Sequence, residues 1–145
     1  MQAGNDASVE TIHREMTAFA RRARAAAARM HPKLSLVAYT LLAHMSERRH
    51  CRATDLAQAF LLDKSTVSRQ IATLERLGLV ERRPDPADHR VQVLLPTTAG
   101  AAVLAEATRA ARRTVRGRLA DWDDSDLARF AAYLTRYNDA AGQQG

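Results

Sequence analysis

A short stretch of this 145-residue chain gathers hydroxyl and guanidinium groups at helical spacing. Ser65, Thr66, Ser68 and Arg69 stand together, with Thr73 and Arg76 one and two turns further on. At about 100° per residue, Val67, Ile71, Leu74 and Gly78 share one helix face, while Ser65, Arg69 and Arg76 lie opposite, flanked by Thr66, Ser68 and Thr73. The apolar face must be covered by protein, so the hydroxylated, basic face looks outward. Such a face suits a helix lying in the major groove of DNA. An arginine donates two hydrogen bonds to a guanine edge, and hydroxyls reach bases or phosphates. Free N–H groups at the helix start attract phosphate as well. Taken alone, the same residues also fit an ordinary solvated helix face. The elements around them decide between the two.

Other groups with chemical potential are less organised. Cys51 is the one cysteine, so no disulfide can form within the chain, which suits a reducing cytoplasm. Its neighbours Arg48, Arg49, His50 and Arg52 are of the kind that lower a thiol pKa. A thiol-based redox sensor at Cys51 is therefore an alternative to a passive thiol. The five histidines (His13, His31, His44, His50 and His89) show no close metal-ligand spacing, so no metal and no cofactor is expected. Asp121, Asp123, Asp124 and Asp126 cluster before a helix, where acids cap the end and favour its dipole. No nucleophile–base pair is identifiable, and an enzyme is not expected.

The elements that must position the hydroxyl and arginine face follow from periodicity. Residues 8–30 carry Val9, Ile12, Met16, Phe19, Ala23, Ala26 and Met30 at alternating steps of three and four, the seam of a helix packed lengthwise on others. His31-Pro32 breaks it. A second helix is expected over 33–47, with Leu34, Val37, Leu41 and Met45 buried. A short helix over about 54–61 buries Leu56, Ala57 and Phe60, starting with Thr54 as cap or earlier, near Arg52. After Leu62-Asp63 the helix of the opening paragraph spans 64–77 and stops at Gly78. Strands at 79–83 and 91–95 flank the turn formers Pro84, Asp85, Pro86, Ala87 and Asp88. In the second strand Val91, Val93 and Leu95 alternate with Gln92 and Leu94. Thr97 or Thr98 caps a long helix to about 120, whose apolar stripe is Leu104, Ala107, Ala111, Val115 and Leu119. Asp123 or Asp124 caps a last one, in which Leu127, Phe130, Leu134 and Tyr137 repeat the three-four-three spacing. The expected fold is mainly α with a small β-hairpin wing, a winged helix-turn-helix.

Bulk properties allow this but do not single it out. Hydrophobic residues make up 46% and charged residues 26%, enough for a core and too little charge for bulk disorder. The net charge of +6 attracts polyanions. Between Glu47 and Arg90, however, nine Lys/Arg are offset by seven Asp/Glu, so placement of individual side chains matters more than net charge. No run approaches the ~18 apolar residues of a membrane span. A cytoplasmic protein with no membrane partner is expected.

The chain resembles the MarR family of bacterial winged-helix regulators. The resemblance rests on Asp63-Lys64-Ser65-Thr66-Val67-Ser68-Arg69, on Leu74 to Arg82, on Asp85 to Arg90, and on Thr97-Thr98-Ala99-Gly100. Most specific is the Asp-x-Arg of the hairpin followed by Thr-x-x-Gly at the next helix. The resemblance implies that Arg90 enters the minor groove with Asp88 orienting it and His89 between them. Ser65, Thr66, Ser68 and Arg69 would read the major groove, with Thr73 beside them. Lys64, Arg76 and Arg83 would anchor phosphates, which sets affinity more than sequence preference. Where many relatives have Ser or Thr before the first short helix, this chain has Arg52, an additional phosphate contact.

One domain is expected across residues 1–145, with 33–96 as the winged helix-turn-helix and helices 8–30 and 97–140 making a homodimer. Seams at both chain ends favour a shared interface. A two-fold dimer would read a palindromic operator in double-stranded DNA, with half-sites about 34–36 Å apart. The resemblance further implies a repressor released by a small aromatic or phenolic effector, near Met16, Phe19, Arg21, Tyr39 and His44. Each of these five also fits ordinary core or surface. The remaining alternative is a winged helix used for protein contacts or for coating DNA without sequence preference.

Overall fold

A computed structural model describes residues 2–142 of the chain. Its elements run α1 (Gln2–Met30), α2 (Leu36–Glu47), α3 (Ala53–Ala59), α4 (Lys64–Arg76), β1 (Val80–Pro84), β2 (Gln92–Pro96), α5 (Thr98–Arg118) and α6 (Asp124–Gly142). The mainly α class with one two-stranded antiparallel hairpin is as expected. Compact units divide between Ala107 and Thr108, so the boundary falls inside α5.

The first unit holds the core. Ala38, Leu41, Leu42 and Met45 of α2, Leu56 of α3, and Val67, Ile71 and Leu74 of α4 are all buried. They pack into one cluster with Ala27, Leu34, Tyr39, Cys51, Leu79, Val80 and Leu94. Burying these aliphatic side chains is the main force holding α4 and the hairpin in place.

Local chemistry sets the element ends, and several differ from expectation. α1 starts at Gln2, ahead of residue 8; no proline interrupts residues 2–7, and a nucleated helix propagates. α2 starts at Leu36, three residues late, because the Ser35 Oγ accepts from the Ala38 N–H at 3.2 Å and caps there. Val37, expected to be buried, lies at the surface, while Ala38 and Leu42 of the same helix are fully buried. Arg52, not Thr54, is the N-cap of α3. The Asp55 carboxylate accepts from the Arg52 backbone N–H at 2.9 Å, which fixes that start. α3 ends at Ala59, and Leu61 lies in the turn that follows, with φ 51° and 86% of its surface exposed.

α4 ends as expected. Gly78 adopts φ 72°, and the Gly78 and Leu79 N–H groups return to the Glu75 and Leu74 carbonyls. The hairpin pairs Val80 with Pro96 and Pro84 with Gln92. β2 departs from the simple alternation at one position: Val93 is buried, and Leu94, assigned there with Gln92, is buried as well. Its N–H donates to the Cys51 carbonyl at 2.8 Å, so the corner between α2 and α3 acts as a short third strand.

Thr97 ties the hairpin to α5. Its Oγ1 donates to the Gly78 carbonyl at 2.6 Å and accepts from the Gly100 N–H at 3.1 Å. Gly100 is buried against Leu79, whose carbonyl oxygen a Cβ at position 100 would overlap. The Thr-x-x-Gly motif is thus a packing device. In the second unit Asp123 caps α6, accepting from the Asp126 N–H at 2.8 Å. Trp122 packs at a tilt of 56° against Phe130, ring centroids 5.3 Å apart. Phe130, Tyr133, Leu134 and Tyr137 of α6 remain exposed.

Candidate nucleic-acid interface

The start of α4 is organised by one carboxylate. Asp63 is the N-cap, and its Oδ1 accepts from the Thr66 N–H at 2.7 Å. The same carboxylate accepts from the Ser65 hydroxyl at 2.6 Å and the Thr66 hydroxyl at 3.0 Å. Hydrogen bonds from Ser65 and Thr66, above all, lower its pKa from 3.8 to about 2. Asp63 entered the sequence reading only as the first residue of the family motif, with no role of its own, although Asp is a favoured residue just before a helix. Its presence corrects one expectation: an N–H group thought free for phosphate is already occupied, by an anion.

From this cap the polar groups continue along the exposed face. The Arg69 guanidinium donates to the Thr66 Oγ1 at 3.3 Å, and the Arg76 guanidinium to the Thr73 Oγ1 at 3.1 Å. Thr73 in turn donates to the Arg69 carbonyl. Lys64, Ser65, Ser68, Arg69 and Arg76 are exposed, and Thr66 and Thr73 half-buried, while Val67, Ile71 and Leu74 face the core. The helical phase read from the sequence is the phase of the folded helix. Behind it, Glu75 of α4 accepts from Arg82 of β1 at 2.9 Å and fastens helix to hairpin.

At the hairpin tip, the Asp88 carboxylate accepts from the Arg90 backbone N–H and Nε, both at 3.1 Å, and from Nη2 at 3.4 Å. Those bonds hold Asp88 below the usual carboxylate range. The Arg90 side chain stays 90% exposed, and His89 beside it is exposed as well. Beneath the tip lies a buried carboxylate that the sequence reading passed over as a turn former. Asp85 accepts from the Ala87 N–H at 2.9 Å and from the Arg52 guanidinium at 3.1 Å. Arg52, expected to reach phosphate, thus braces the tip against the start of α3. Arg83 pairs with Glu81 at 2.7 Å and is otherwise exposed.

This arrangement, an outward hydroxyl–arginine helix beside a hairpin carrying an oriented arginine, has close parallels. The family model for the MarR family matches residues 33–91, from the start of the winged unit to the hairpin tip. An uncharacterized HTH-type transcriptional regulator of Bacillus subtilis, YxaD, is 33% identical over 94% of this chain and 96% of its own length. The chain belongs to the MarR family. Among solved structures, a MarR family protein from Bacillus stearothermophilus superposes with a TM-score of 0.84 over 98% of this chain and 99% of its own, at 20% identity. The transcriptional regulator BldR from Sulfolobus solfataricus gives 0.69 over 88% and 92%, at 25% identity. This MarR-family chain is accordingly a DNA-binding transcriptional regulator with a winged-helix fold, and its family and relatives are regulators, not enzymes.

The residues named for an effector lie in different surroundings. Met16, Phe19 and Arg21 of α1 are exposed. Tyr39 is buried, and burial and then the charge of Glu106 push its hydroxyl pKa up. His44 packs edge-on against Phe60 with centroids 5.3 Å apart. Of the five, His44 lines a cleft of about 270 Å³, shared with Arg48, His50, Cys51, Asp55, Gln58 and Ala59. Cys51 is 1% exposed, and burial first, then Asp55, raise its thiol pKa against the pull of Arg48. Burial therefore outweighs the basic run that the sequence placed around it and disfavours the thiolate. No helix is long and apolar enough to cross a membrane, and no metal-holding group of His, Cys, Asp or Glu occurs among the described residues.

Proposed function

We propose that this MarR-family chain is a homodimeric, sequence-specific repressor that acts in the cytoplasm on a palindromic operator and is released by a small aromatic or phenolic effector. The observation that carries it is the pairing of an outward α4 face with an exposed, carboxylate-held Arg90 on the adjoining hairpin. α4 enters the major groove with Ser65, Ser68 and Arg69 toward base edges and Thr66 and Thr73 supporting the arginines. Arg90 enters the flanking minor groove, where a narrow A·T-rich segment concentrates negative potential. Lys64, Arg76 and Arg83 contact phosphates, and His89 lies against the backbone at the tip. Arg52 contributes through Asp85, by fixing the tip from which Arg90 projects.

The dimer is supported by two apolar stripes that the single chain leaves in water. Val9, Ile12, Met16 and Phe19 on α1 are 41–61% exposed, and Phe130, Tyr133, Leu134 and Tyr137 on α6 are 41–57% exposed. Patches of this kind mark association surfaces. A second copy covers them and sets two α4 helices one DNA turn apart.

Selection of bound fragments from genomic DNA tests the reading. The expected product is an inverted repeat with half-sites about 34–36 Å apart. Equal binding to the repeat and to random DNA at one salt concentration would instead mean a DNA-coating module. Phenolic acids titrated against the protein–operator complex, with a reporter gene behind the operator, test release and repression.

A further inference from the structure

The hydrogen bonds at the start of α4 decide not only where two hydroxyls lie but which way their protons point. An ionised carboxylate only accepts, so each hydroxyl within hydrogen-bond distance of Asp63 spends its one proton there. Ser65 does so at 2.6 Å and Thr66 at 3.0 Å. With its pKa near 2, Asp63 is ionised throughout the pH range in which DNA is duplex and the protein works. Thr66 Oγ1 also accepts from the Arg69 guanidinium, so one of its lone pairs is engaged. Ser65, fully outward on the face, is left with lone pairs and no proton.

We infer that Asp63 makes Ser65 an acceptor-only contact, so that Ser65 selects a base with an exposed amino group, adenine or cytosine, against guanine or thymine at the same position. The groove chemistry separates these classes. Adenine N6 and cytosine N4 donate, whereas guanine O6, guanine N7 and thymine O4 only accept. Phosphate oxygens likewise only accept, which removes Ser65 from the phosphate-anchoring set. Facing guanine or thymine, two acceptors meet with no proton between them and both lose their water, an arrangement that costs about tenfold or more in affinity. Asp63 is a positioning residue here, acting on the base through Ser65.

The inference rests on α4 lying in the major groove. It is tested by measuring operator affinity with each of the four bases at every half-site position, for wild type and three variants. Ser65→Ala locates the contact, as the position where base preference vanishes. There, wild type prefers adenine or cytosine by about tenfold over guanine or thymine. Asp63→Asn keeps an oxygen that accepts from the Thr66 N–H and the Ser65 hydroxyl, and so keeps the preference. Asp63→Gly remains a serviceable cap but frees the Ser65 proton to turn outward. Its preference falls to about twofold or less. Ratios within one variant are compared, so the uniform gain in affinity from losing a negative charge cancels. A wild-type preference for guanine or thymine at the Ser65 contact, or an unchanged preference in Asp63→Gly, overturns the inference and leaves the groove assignment standing. Failure of wild type to select any operator overturns both.

Discussion

The Arg90 guanidinium makes two hydrogen bonds to one carboxylate although most of its surface is open to solvent. An exposed ion pair of this kind adds little to stability. What it does is narrow the directions in which a long side chain points before DNA arrives. Arg90→Ala is expected to weaken operator binding by about 1–3 kcal/mol, and Arg69→Ala to weaken it and flatten base preference in the major groove, both read by fluorescence anisotropy. Asp63 supplies a different signature. Its folded pKa, about 2, lies below the ordinary 3.8, so its stabilising contribution is full above pH 4 and disappears as pH falls toward 2. Thermal unfolding across that window should show wild type losing more stability than Asp63→Asn. The outward residues of α4 were legible from the sequence because a helix face follows from phase alone. The Arg52–Asp85 pair was not, since it spans 33 residues and no local pattern announces it; Asp63 was passed over although its partners, Ser65 and Thr66, are near neighbours.

At the scale of elements, turns and caps carry the strain and the precision. Leu61 sits at φ 51° in the turn between α3 and α4, a left-handed conformation costing a branched side chain about 1–2 kcal/mol. Being 86% exposed, it returns little burial for that cost. Leu61→Gly should therefore stabilise the protein by about 0.5–1 kcal/mol after the extra backbone entropy of glycine, a rise of a few °C in Tm. Gly100 behaves oppositely. Ala in its place puts a methyl into the Leu79 carbonyl, and Gly100→Ala should destabilise by about 3 kcal/mol, seen in urea denaturation. Element types were readable from periodicity, while boundaries moved wherever a cap decided them. Ser35 delayed α2, and Arg52 with Asp55 advanced α3. In β2 Leu94 joins Val93 in burial where alternation would expose it, and there it pairs with Cys51, 43 residues away.

For the whole molecule, the exposed stripes on α1 and α6 set the next question. Leu134→Glu, placed amid Phe130, Tyr133 and Tyr137, should yield monomers in analytical ultracentrifugation. Because a dimer holds its second reading helix at high effective concentration, operator affinity should fall by more than about tenfold in the same variant. A dimer that persists unchanged would remove α6 from the interface. The sequence by itself determined the order of elements, the outward face of α4 and the Asp88–Arg90 tip. These depend on periods of two and 3.6 and on contacts between near neighbours, which a linear string records. Only the tertiary structure decided that Asp63 consumes the protons of Ser65 and Thr66, that Arg52 braces Asp85, and that Cys51 is buried with its thiol pKa raised. Those outcomes depend on the direction of single bonds and on water excluded by distant segments, and neither is written in spacing.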